Sequence, residues 1–71
     1  MERVHVSSSN LVSIGYDPES KTLEVEFRSG SIYQYYDIPG IIYSGLMSAA
    51  SHGRYLDAYI VKSSFASKRI K

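Results

Sequence analysis

Residues 22–27, TLEVEF, alternate strictly. Leu23, Val25 and Phe27 share one face, and Thr22, Glu24 and Glu26 share the other, the period of a strand with one buried side. LVSIGY (11–16) precedes it, mixing β-branched and aromatic residues and ending in the polar turn Asp17-Pro18-Glu19-Ser20-Lys21. SIYQYY (31–36) follows after so short a connection that the two segments must form an antiparallel hairpin. Past Ile38-Pro39 the period changes. Ile42, Leu46 and Ala49 fall at i, i+4 and i+7 and predict a helix with Pro39 at its first position. A second helix is predicted from about Ser51, carrying Leu56 and Ile60 and, beside them, Tyr55 and Tyr59. Gly45 interrupts the first helix at a cost of about 1 kcal/mol, which suggests close packing there or a weak helix. The predicted fold is α+β: a three-stranded antiparallel meander followed by two short helices packed on one face.

The turn between the second and third strands decides where the tyrosines point. A two-residue Ser29-Gly30 loop would send Tyr33 and Tyr35 to the glutamate face, but it requires positive φ at Ser29. A three-residue loop, Arg28-Ser29-Gly30 with Gly30 left-handed, has better turn chemistry and pairs residue 25 with 33 and 23 with 35. Tyr33 and Tyr35 then lie with Leu23 and Val25 beneath the helices. Ile32, Gln34 and Tyr36 share the outer face with Glu24 and Glu26.

With 71 residues, 44% apolar and 21% charged, the chain makes one domain spanning residues 1–71, with a core over about 6–66 and a basic tail over 66–71. The absence of cysteine excludes disulfides and thiolate chemistry. MERVHVSSSN has no apolar run after its charges, so neither a signal peptide nor a membrane anchor is expected and a cytoplasmic location is the default. Charge is unevenly spread: three cations face six acids in residues 1–46, and five cations face Asp57 alone in 47–71. This asymmetry reads first as a solvated basic tail and second as an end that faces a polyanion.

The ordered motifs resemble the KTSC domain, a family named for the C-terminus of some lysyl-tRNA synthetases and present alone in small bacterial or phage proteins. The pattern runs through Val6, Ser8 and Ser9; Gly15, Tyr16 and Asp17; Leu23, Val25 and Phe27; Gly30, Tyr33 and Tyr35; Ile38 and Pro39; and Ala49, Ser51 and Gly53. It departs from that pattern at Asp57, where asparagine is usual, and at Val61, where a basic residue is usual and Lys62 follows instead. The resemblance implies an accessory module, with RNA the suggested ligand.

Ser51-His52-Gly53-Arg54 is the most informative polar stretch. Ser51 is placed to cap the second helix, and Arg54 and His52 would add donors to an anion there. Lys62, Lys68, Arg69 and Lys71 would meet phosphates without reading sequence, and Tyr55 would stack if exposed. Ser7-Ser8-Ser9-Asn10 reads first as a turn and second as a hydroxyl-rich lip beside that site. His5 belongs to an edge strand. No metal-ligand spacing or nucleophile motif is present, so no catalytic residue, metal or cofactor is expected. The expected partner is RNA, including tRNA, bound through Ser51, His52, Gly53, Arg54, Tyr55, Lys62, Lys68 and Arg69. The alternative is a protein partner, or a second copy, on the outer sheet face at Ile32, Gln34 and Tyr36.

Overall fold

The computed structural model describes all 71 residues. The chain runs β1 (Val4–His5), β2 (Leu11–Asp17), β3 (Thr22–Phe27), β4 (Ile32–Tyr35), α1 (Gly40–Ser48), α2 (His52–Leu56), a π-helical turn (Asp57–Val61) and β5 (Ser67–Arg69). The strands form one antiparallel sheet in the order β1-β2-β3-β4-β5. The α+β class stands, but the sheet has five strands where the sequence pattern indicates three.

The fifth strand, Ser67–Arg69, lies within the basic tail of residues 66–71. Without it, the free edge of β4 would leave its N–H and C=O groups unpaired. Arg69 pairs with Tyr33 and Ser67 with Tyr35, and the N–H of Ile70 donates to the Ile32 carbonyl at 2.8 Å. Ser-Lys-Arg carries no strand pattern of its own, so this strand exists because the β4 edge recruits it. On the opposite edge, β1 contains the exposed His5.

The β3–β4 register is the one the turn chemistry predicts: Val25 pairs with Tyr33 and Leu23 with Tyr35. Gly30 has φ +96°, a conformation L side chains rarely adopt. A bulge at Val12 lets Leu11 oppose Phe27 while Ser13 opposes Glu26, so Leu11 and Ile14 both reach the core and Ser13 turns outward. The core gathers Leu11, Ile14, Leu23, Val25, Tyr35, Ile38, Leu46, Leu56 and Ile60 between the sheet and the helices.

Tyr35 is 6% exposed and Tyr33 is half-buried at the margin of the core. Their rings stack with centroids 6.3 Å apart. The Tyr35 hydroxyl has no partner within the protein, yet no buried side-chain polar atom is left unpaired, so this group reaches solvent. Burial, followed by the neighbouring Tyr33, pushes the Tyr35 phenol up from 10.0, which keeps it neutral. Tyr16 and Tyr43 stack at 4.5 Å, and the Tyr16 hydroxyl donates to the Ile38 carbonyl at 2.5 Å, tying β2 to the entry of α1.

Pro39 is the residue before the first helical turn rather than its first member, with φ −64° and ψ 148°. Gly45 is where α1 meets α2: a Cβ there would collide with the Tyr55 ring. After Leu56 the helix widens into the π turn, which still directs Ile60 into the core.

Candidate functional site

Alternation in the sheet separates two chemistries. The outer face carries a hydrogen-bonded polar layer. Arg3 crosses it to pair with Glu24, approaches Glu26 at 3.8 Å and donates to Ser13 at 2.9 Å. Ser13 donates to Glu26 at 2.8 Å, Gln34 to Glu24 at 2.8 Å, and Tyr36 to Gln34 at 3.0 Å. Burial pushes the Glu24 carboxyl up, but the hydrogen bonds from Gln34 and Arg3 and the Arg3 charge outweigh it, holding the group below 4.5.

Glu24 is 6% exposed rather than solvated, and Ile32 is 7% exposed. The apolar pair expected on this face is therefore reduced to Tyr36, whose hydroxyl is already committed to Gln34.

The other chemistry collects where the Ser7–Asn10 loop meets the β3–β4 turn and the start of α2. Three adjoining depressions share Ser9. The first, about 390 Å³, is lined by Ser9, Asn10, Phe27, Arg28, Ser29, Ser31 and Tyr33. The second, about 340 Å³, continues past Arg28 to Ser51 and His52. The third, about 450 Å³, runs from Asn10 over Ser51 and Gly53 to Arg54 and Asp57. The loop and the Ser51–Arg54 stretch are thus neighbours, as the lip reading of Ser7-Ser8-Ser9-Asn10 requires.

Arg28 organises the junction. Its Nε and Nη2 donate to the Ser8 carbonyl at 3.2 and 2.9 Å, and its backbone N–H donates to the Asn10 carbonyl at 3.0 Å. A guanidinium has five N–H donors, so three remain for a ligand from a head already fixed in place. The sequence reading used Arg28 only as a turn residue. Its partner lies twenty positions away, and no local spacing reveals that.

The other predicted residues are distributed as follows. Ser51 caps α2, accepting the Arg54 N–H at 3.3 Å. Arg54 is exposed, and its guanidinium makes no bond within the protein. His52 lines the second groove, and its Nδ1 lies 2.8 Å from the Leu46 carbonyl, at the end of α1. The space beside Gly53, expected to admit an anion, holds the Asn10 carboxamide. Tyr55 is half-buried against Gly45 and lies 4.6 Å from Tyr59, which is 55% exposed. Lys62 pairs with Asp57 at 3.2 Å. Lys68 and Arg69 stand exposed on β5, opposite Gln34 and Tyr33. No group of three or more metal-ligating side chains is assembled, and no helix is long and apolar enough to cross a membrane.

These features define a small α+β module whose cationic, hydroxyl-lined grooves lie across the sheet from its acidic layer. The chain belongs to the KTSC domain family, which matches residues 7–71. It is similar to a KTSC domain protein from Yersinia pestis of known crystal structure, with a TM-score of 0.92 and 43% identity covering 99% of this chain and 97% of that one. An uncharacterised protein of Stutzerimonas stutzeri is 47% identical over 57 residues, 80% of either chain. A lysine–tRNA ligase from Nostoc sp. is 42% identical over 45 residues, which is 63% of this chain and 8% of the ligase.

Proposed function

We propose that this chain is a non-catalytic RNA-binding module, with tRNA the natural class to test, that grips phosphates along the grooves around Ser9. The carrying observation is Arg28, held by the Ser8 carbonyl with three donors uncommitted where two grooves meet. Arg54 supplies a second free guanidinium on the adjoining groove, and Ser9, Asn10 and Ser51 supply neutral polar groups between them. Glu24 and Glu26 lie on the opposite face of the sheet, and Asp57, the acid that lines the Arg54 groove, is paired with Lys62. Similarity to a segment of lysine–tRNA ligases is consistent with this reading. Contacts of this kind follow the backbone without reading bases, so affinity depends on counterion release.

The test is a tRNA titration of labelled protein at low and moderate salt. Binding should weaken steeply with salt, and Arg54→Ala should lower the salt slope by about one. Arg54→Glu should abolish binding at moderate salt. A folded Arg54→Glu variant that binds as wild type does, or binding indifferent to salt, would sink the reading.

A further inference from the structure

The depression between the Ser9–Asn10 loop and the β3–β4 turn differs from its neighbours: it alone contains six-membered aromatic rings, those of Phe27 and Tyr33. Both are half-buried and lie against the core, so their positions are held from beneath. Their rings are perpendicular, with centroids 5.8 Å apart, so a ligand entering meets one ring's face and the other's edge. The rim is polar, formed by Ser9, Asn10, Arg28, Ser29 and Ser31. No carboxylate lines it.

We infer that this groove seats a single unpaired base of the bound RNA strand, stacked on the Tyr33 ring and edge-on to Phe27, while Arg28 holds an adjacent phosphate. The inference rests on the phosphate reading above and adds a strand requirement to it. A flat ring with heteroatoms at its edge fits an aromatic wall with a donor-rich rim better than an aliphatic side chain does. The volume of about 390 Å³ lies at the lower end of small-molecule sites and accommodates a base with its sugar, not a duplex. Bases inside an A-form helix have both faces covered by their neighbours, so only a loop, bulge or end can offer one. Arg28 lines this groove and the next, so one guanidinium reaches both base and backbone.

The test compares three probes on the full chain: a single-stranded oligoadenylate, an abasic strand of equal length, and the oligoadenylate paired with oligouridylate. The single strand should bind about tenfold tighter than the abasic one, the scale of one stacked base. Tyr33→Leu should close that gap while leaving abasic binding unchanged, and Tyr59→Leu should leave both as they are. Adenosine monophosphate should shift the ring protons of Tyr33 and Phe27 and not those of Tyr59, a readout that needs no variant to fold. Equal binding of single and abasic strands, or a full gap in Tyr33→Leu, overturns the base seat alone. Failure of every strand to bind overturns the phosphate reading and this inference with it.

Discussion

The carboxamide of Asn10 occupies the space over Gly53 where a side chain would otherwise stand. This contact joins the loop before β2 to the first turn of α2 and forms the wall of one groove. The close approach, and not a positive φ, is what glycine accommodates at 53.

Gly53→Ala should therefore move the loop more than it unfolds the protein. The intruding atom is the end of a flexible side chain that can swing outward, and alanine regains up to about 1 kcal/mol of helix propensity. Urea midpoints should stay within about 1 kcal/mol of wild type. The amide resonances of Ser9 and Asn10 should shift, and the salt slope for tRNA should change. Unmoved loop resonances would show that Asn10 does not wall the groove.

Gly45→Ala predicts the opposite balance. Here the obstacle is the Tyr55 ring, already backed by Tyr59. Overpacking costs about 1–3 kcal/mol and should exceed the helical gain of about 1. Chemical denaturation should show net destabilisation, and pairing the change with Tyr55→Leu should recover part of it through coupling of the two sites.

The outer polar layer should carry a pH signature. Glu24 titrates below 4.5 in the folded state, so its contribution is present above that value and is lost as pH falls through its folded pKa. In Arg3→Ala the burial penalty is less opposed and the folded pKa rises. The stability gap between wild type and Arg3→Ala should therefore narrow as pH drops below 4.5. Asp17, also lowered by the Ser20 hydroxyl and the Glu19 N–H, lies at the far end of β2 and should contribute equally to both proteins. A gap that stays constant through the acid range would exclude the Arg3–Glu24 linkage.

Ending the chain after Phe65 should expose the β4 edge. The Tyr36 N–H donates to the Ala66 carbonyl at 2.9 Å, and the Ile32 carbonyl accepts from both Ile70 and Lys71. The truncated protein should lose about 1–3 kcal/mol, as the β4 edge gives up several backbone partners at once. Hydrogen exchange should quicken at Tyr36 and along β4. Unchanged exchange would mean that β5 adds nothing to the sheet.

Strict alternation in residues 22–27 and a glycine at 30 were enough to set the hairpin register, and with it the inward direction of Tyr33 and Tyr35. A local turn has few solutions, and side-chain direction follows from it without reference to distant residues. Leu46 on the first helix, and Leu56 with Ile60 on the second, were legible as core positions for the same reason, the period being written along the chain, although Ala49 falls just past the end of α1. His5 was legible as an edge-strand residue, but β5 was not legible, because its residues show little pattern and form a strand only against the edge that β4 provides. Arg28 shows the same division within the site. Its charge was plain, but its fixed direction comes from the Ser8 carbonyl twenty residues away.

Sequence alone thus determined the local geometry of turns and faces, which nearest neighbours control. Only the tertiary structure decided which loops adjoin, which edges are paired and which charges are held in place, because those depend on contacts that close after the chain has folded back on itself.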